Sequence, residues 1–421
     1  MRRIFIVLFV LIFPLSPAFS TESLWQIIFG TEQLTGLTTR NLPEDLPFRL
    51  LVSRTGAYYV FGTNNYSEGN PRPGTIGTWA ARIRPEGTMQ WLKMIATGPS
   101  HPLLIETGND GFLSIFKLTD TDGMEKDSVR FLQYGGDGNV LWDKSIEAAG
   151  FCQGENCQGA SGIRPVILFR VGAELRMIVE LEVLDMERVP DPDGTIHMAP
   201  RYFLVALDDQ GRIKSSKILS GKIAKNNYRV AEDNVMALGD GRIYIVETHA
   251  ESYDVKVTGF TSDARPVRSW DFTARTYRCA SDILELPGGE IQLGLLDQGL
   301  NPGSTLIRIG ADGTVKSSVQ KQIAWYFLKT VWLADGTLLT IGSVGDSGEG
   351  DNQLYRLTPN GDVISKKSFG GPGTSTVDFA LLPGGQIIIL CYTKDYGAFY
   401  IDALLMKVDT AWNFAPPPRR R

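Results

Sequence analysis

The chain has 421 residues, 43% of them hydrophobic and 10% aromatic, which is too apolar for a disordered chain and lacks the regularities of collagen or a coiled coil. Lys and Arg number 42 against 47 Asp and Glu, a net charge of −5, which excludes a general nucleic-acid binder because such proteins need a basic footprint. With 45 glycines the chain is rich in turns.

Residues 1–20 read as an export signal. Arg2 and Arg3 precede an unbroken apolar run over 4–13, and Ala18 and Ser20 supply small residues at the cleavage site. The run is short for spanning a bilayer; an uncleaved anchor is the alternative. After cleavage no transmembrane segment is expected, which places the protein in the periplasm or outside the cell. Thiols oxidise there. Cys152 and Cys157 flank a short polar loop and are expected to form a disulfide that stiffens it. Cys279 and Cys391 lie in apolar runs and read as small buried hydrophobes, with a second bridge as the alternative. No zinc spacing occurs.

The strongest signal is internal repetition. An apolar run, a tight glycine turn and a second apolar run recur around Gly241, Gly289, Gly336 and Gly385, spaced 48, 47 and 49 residues apart. Looser copies surround Gly56, Gly111 and Gly172. A second hairpin follows each, with Asp-Gly, Asn-Gly or a similar turn, as in Tyr134-Gly-Gly-Asp-Gly-Asn-Val-Leu-Trp142 and Tyr355-Arg-Leu-Thr-Pro-Asn-Gly-Asp-Val-Ile-Ser365. Such dipeptides favour the positive backbone angles of tight hairpins. Each unit therefore has four strands, A to D, and a period of about 48 residues reads as one propeller blade. The expected fold is an all-β, seven-bladed β-propeller with four-stranded antiparallel blades. It forms one domain over residues 21–415, followed by a Pro/Arg tail at 416–421. Eight blades, the extra one within 31–55, is the alternative.

The last unit lacks a fourth strand, while residues 24–30 resemble the D strands elsewhere. The N-terminal strand is thus expected to complete the last blade and remove an open edge. Trp25, Trp91, Trp142 and Trp270 fall at D-strand positions and read as blade-packing residues.

The tandem pattern of Asp or Asn, Gly, any residue, Val, any residue, Trp or Ser resembles the repeats of exported bacterial β-propellers, including the quinoprotein-like and outer-membrane-assembly propellers. The likeness is one of repeat style. The vicinal cysteine pair typical of quinoprotein dehydrogenases is missing, so no quinone or other cofactor is expected.

The A–B and C–D turns are short. The B–C connections (63–75, 119–128, 185–199, 345–351, 394–397) and the D–A connections (148–165, 219–228) are long and polar, and emerge together on the opposite face. Long loops on a rigid ring are where binding usually resides. Just before A strands stand Tyr228 and Arg229, Tyr277 and Arg278, and Tyr326, expected to ring the channel mouth. Aromatics there stack on a sugar or cap a peptide, and arginines hold an anion; the plainer reading is that they pack between blades. Asp120 and Asp122, and Asp191 and Asp193, resemble fragments of calcium loops, but neither stretch is a full loop and solvated turns are the plainer reading. His197 and His249 are weak general-base candidates near the same face; His101 is the remaining imidazole, and no catalytic motif accompanies them. The expectation is a monomeric, exported binding or scaffold protein whose long-loop face holds a protein or glycan, with no nucleic acid involved. The alternative is a polysaccharide-acting hydrolase or lyase with its site at the channel mouth.

Overall fold

A computed structural model describes residues 24–29, 44–65, 77–97, 102–108, 110–119, 125–152, 160–184, 198–219, 228–229, 235–237, 241–249, 255–272, 277–286, 288–297, 303–321, 326–344, 351–371, 373–395 and 401–415. Strand β1 (Gln26–Phe29) comes first. Blade 1 follows as β2 (Glu44–Val52), β3 (Tyr58–Asn65), β4 (Gly77–Ile83) and β5 (Met89–Thr97). Blade 2 is β6 (Leu103–Thr107), β7 (Gly111–Thr119), β8 (Glu125–Tyr134) and β9 (Val140–Glu147). A short 3-10 helix, Ala148–Phe151, leads to blade 3: β10 (Ser161–Val171), β11 (Glu174–Leu184), β12 (Met198–Leu207) and β13 (Ile213–Ile218).

Blade 4 contains β14 (Tyr228–Arg229), β15 (Val235–Ala237), β16 (Ile243–His249), β17 (Val255–Phe260) and β18 (Pro266–Phe272). Both β14 and β15 pair with β16, so this A strand comes in two pieces. Blade 5 is β19 (Tyr277–Leu286), β20 (Glu290–Asp297), β21 (Gly303–Ile309) and β22 (Val315–Lys321). Blade 6 is β23 (Tyr326–Trp332), β24 (Leu338–Val344), β25 (Asp351–Leu357) and β26 (Val363–Phe369). Blade 7 is β27 (Thr374–Leu381), β28 (Ile387–Thr393), β29 (Asp402–Val408) and, from the other end of the chain, β1.

Seven sheets of the expected order are therefore present, and the eight-bladed alternative is excluded because residues 44–52 are the A strand of blade 1. Ring closure is as read from the sequence. Gln26 pairs with Met406 and Phe29 with Ala403, giving β29 the outer neighbour it would otherwise lack. Strands β2 and β27 meet across the same seam. One predicted connection is shorter than expected: the 148–165 stretch is a helical turn followed by β10 starting at Ser161. Pro165 belongs to that strand, tolerated because A strands are sheet edges and the register slips beside it.

The hydrophobic core is distributed between the blades. Seven apolar clusters occupy the gaps: Val60, Trp79 and Leu390 between blades 7 and 1, for example, or Ile115, Phe131, Met177 and Phe203 between blades 2 and 3. B and C strands are buried on both faces because each sheet packs against two neighbours; β28 and β29 are almost continuously buried. D strands form the rim and alternate or stay exposed, as in β9 and β26.

The C–D turns repeat one geometry. In turns 84–88, 135–139, 208–212, 261–265, 310–314, 358–362 and 409–413, the first residue donates its N–H to the carbonyl of the fifth and accepts from the N–H of the fourth. The fourth residue has positive φ in every case. Glycine suits that position. Blade 4 places Ala264 there at φ 69° and blade 7 places Trp412 at φ 62°.

Rim tryptophans tie blades together through these turns. The Trp25 indole N–H donates to Pro85 O at 2.9 Å, Trp91 to Gly136 O at 3.0 Å and Trp270 to Gly313 O at 2.6 Å, each across one gap. The blade-packing reading of these residues is correct. Between blades 6 and 7 a stack of Phe369 on Phe414, centroids 5.4 Å apart, takes the same role.

Candidate functional site: the central channel and its long-loop mouth

The A strands line the channel, and four of them bulge at the same level. Phe48 in β2, Val166 in β10, Ser281 in β19 and Val377 in β27 are each an extra residue relative to the partner strand. In β23 two residues, Leu328 and Lys329, oppose one. Bulges disrupt the ladder and re-aim side chains, and they gather near functional sites. Here they leave backbone groups that side chains then satisfy. Leu50, just beyond its bulge, donates its N–H to Asp378 Oδ2 at 3.0 Å across the seam between blades 1 and 7. The Lys329 carbonyl accepts from Thr340 Oγ1 at 2.9 Å.

Asp378 is the anchor of this level. It is buried, and Lys329 Nζ donates to its Oδ1 at 2.7 Å, while Arg49 Nε stands 4.0 Å from Oδ2. Three blades, 6, 7 and 1, thus meet on one carboxylate. Lys329 also lies over the Phe379 ring, 5.1 Å from its centroid. The Arg49 side chain is 54% exposed and that of Lys329 39%, so the carboxylate is consumed while both cationic side chains keep access to solvent. That arrangement suits an anionic group entering along the axis. Sequence reasoning missed these three residues. The available signal was their common offset, each seven residues before the A–B turn glycines Gly56, Gly336 and Gly385.

Above this level, on the long-loop face, stand the residues chosen from the sequence. Tyr228 opens β14 opposite His249, the last residue of β16, and Arg229 pairs with Thr248. Tyr277 opens β19 opposite Asp297, the last residue of β20, with Arg278 next. Tyr326 opens β23 opposite Ser343. A tyrosine therefore begins the A strand in three successive blades, at one level and on one face. The backbone brings His249 beside Tyr228, a juxtaposition hidden in the sequence by the intervening turn.

The same end of the ring is fixed by a buried polar latch. Asn352 Nδ2 donates to Thr374 O at 2.7 Å, and its Oδ1 accepts from Thr376 N at 3.0 Å, tying blade 6 to blade 7. Asp395 Oδ2 receives the Gly373 N–H at 2.9 Å. Interior Thr374 and Thr393 complete the contact, their hydroxyls 2.9 Å apart.

The other predicted residues fare differently. His197, His101, Asp120, Asp122, Asp191 and Asp193 lie outside the described residues, as does Cys157. Cys152 is buried; its bridge to Cys157 is carried forward as a proposal. Cys391 is a free thiol, fully enclosed and pushed up to about 12 by burial. Among the described residues no group of three or more His, Cys, Asp and Glu side chains is arranged to hold a metal ion.

The fold defines the chain as a seven-bladed β-propeller. Neither a protein-family model nor a curated protein sequence matches it. Solved structures do. It is similar to the polysaccharide lyase Uly1, with a TM-score of 0.52 at 10% identity over 87% of this chain and 90% of that one. It is also similar to the intramolecular trans-sialidase from Ruminococcus gnavus, with a TM-score of 0.46 at 12% identity over 89% and 96%, and to a protein of unknown function from Dyadobacter fermentans, with a TM-score of 0.45 at 11% identity over 87% and 94%. The likeness to Uly1 agrees with the strand order on the fold.

Proposed function

We propose that the chain is an exported propeller that holds a glycan or protein partner on its long-loop face, at the channel mouth. The observation that carries this reading is the run of Tyr228, Tyr277 and Tyr326 at the start of three successive A strands, two of them followed by arginine. Aromatic rings offer stacking faces at low conformational cost, and arginine pairs with carboxylates or sulfates. Arg49 and Lys329 lie deeper on the same axis and extend the anion preference to an acidic partner. Residues 1–20 act as the export signal, and a Cys152–Cys157 bridge forms in the oxidising compartment reached. Pooled changes Tyr228→Ala, Arg229→Ala, Tyr277→Ala and Arg278→Ala test the reading. Loss of capture of an acidic polysaccharide with an unchanged melting temperature supports it; loss of the fold assigns these residues to packing.

A second reading is a polysaccharide-acting lyase or hydrolase, favoured by His249 standing opposite Tyr228 in the β14–β16 pair. A histidine beside a tyrosine supplies a base and an acid. Turnover of a polysaccharide panel that His249→Ala abolishes would establish it.

A further inference from the structure

The rim latch between blades 2 and 3 is incomplete, and a cavity opens where it should close. Trp142 occupies the same D-strand position as Trp91, and its ring packs so closely on Gly211 of the next turn that a Cβ there would fall 2.7 Å away. Yet its indole N–H makes no hydrogen bond to the described residues, whereas Trp25, Trp91 and Trp270 each spend theirs on a turn carbonyl. Beside it lies a cavity of about 470 Å³ on the face of the short A–B and C–D turns, lined by Arg54, Thr107, Gln133, Trp142, Arg170 and Asp209 among others. That size is typical of small-ligand pockets.

The wall carries unspent hydrogen-bonding capacity. Arg170 Nε is buried with no partner, and its Nη1 reaches only Ala173 O at 3.5 Å. A buried unsatisfied donor is costly and calls for an explanation. Asp209 is exposed and has no ion pair or hydrogen bond from its side chain among the described residues. Gln133, 8% exposed, is held by Thr107 at 2.8 Å, and Arg54 adds a second cation, 3.5 Å from Glu106. Leu113 and Leu175 complete an apolar floor.

We propose that this cavity binds a carboxylated monosaccharide unit. Its carboxylate accepts from Arg170 and Arg54, a ring hydroxyl donates to Asp209, and another accepts from the Trp142 N–H at the edge of the indole. A purely apolar ligand would leave Arg170 and Asp209 unmet, and a bare inorganic anion would leave the Trp142 wall unused. The site lies on the opposite face from the tyrosines and stands independently of the function proposed above.

The test is titration calorimetry with D-glucuronate, using D-glucose as the neutral control and the whole chain throughout. Expected are saturable binding of D-glucuronate, D-glucose weaker by about tenfold or more, and a loss of about tenfold in Arg170→Met at an unchanged melting temperature. Trp142→Phe, which keeps a ring and removes the donor, is expected to weaken binding severalfold. Absence of saturable D-glucuronate binding, equal binding of D-glucose, or unchanged affinity in Arg170→Met overturns the proposal. If Arg170→Met does not fold, Asp209→Ala on the exposed turn decides: unaltered affinity overturns it, and weakened affinity supports it.

Discussion

Trp25 donates its indole N–H to Pro85 O, 60 residues further along the chain, and so joins the segment that completes blade 7 to the C–D turn of blade 1. The same ring lies 5.7 Å from that of Tyr58 and covers Gly87. The ring of blades is held shut here by a side chain as well as by the β1–β29 ladder.

Trp25→Ala removes that contact and opens a void at the seam. A loss of about 3 kcal/mol is expected, read as a melting temperature lower by about 5 °C. Deleting residues 21–30 removes the whole strand and is expected to destabilise far more. A deletion variant melting with the parent would overturn closure by strand exchange.

Gly87→Ala probes the same junction from the other side. Gly87 has φ +88°, and a Cβ on it would lie 2.5 Å from the Trp25 ring. Both the backbone angle and the clash oppose a side chain, so a loss of about 2–4 kcal/mol is expected in chemical denaturation. Gly172→Ala is the control: its φ is +59° with nothing within 4 Å, so only the backbone term remains and a smaller loss is expected.

Asp378→Ala tests the carboxylate on which blades 1, 6 and 7 meet. It strands the Leu50 N–H and leaves Lys329 without its partner. A cost of about 3 kcal/mol is expected by equilibrium unfolding. Lys329→Met at the half-exposed end of the pair is expected to cost less, and a reversed order would contradict the assignment of Asp378 as the anchor.

Stability should fall at both ends of the pH scale. The backbone N–H of Asn139 holds the Asp137 carboxyl below its ordinary value, and the N–H and hydroxyl of Thr314 do the same for Asp312. Such groups contribute above the unfolded pKa of about 3.9, and the contribution is lost as pH falls through their lower folded values. Burial pushes Tyr59 and Tyr134 up to about 12. Their contribution is complete below the unfolded value of about 10 and is lost as pH rises through about 12. Melting temperatures recorded from pH 2 to 12 should show both limbs. Asp137→Asn with Asp312→Asn should shrink the acid limb, and a profile unchanged in that variant would contradict the turn carboxylates' role.

Cys391 is expected to resist thiol reagents in the native state and to react on unfolding, because its thiol is enclosed and kept protonated. Reaction at native rates comparable to a free thiol would contradict its burial.

The seven-fold repeat was written in the spacing of Gly241, Gly289, Gly336 and Gly385, since each tight turn needs a residue tolerant of positive φ and that need is local. The seam was legible for a related reason: residues 24–30 carry a D-strand pattern with no hairpin partner beside them. What only the tertiary structure decided is how side chains from different blades meet. Asp378, Lys329 and Arg49 come from three units, and no local preference of any one strand requires a charge there; the shared carboxylate exists because the ring brings three bulged edges to one level. The unmade Trp142 latch has the same origin. Trp91 and Trp142 both stand four residues after a turn glycine, Gly87 and Gly138, and only the packing against the next blade shows that one indole reaches a turn carbonyl while the other does not.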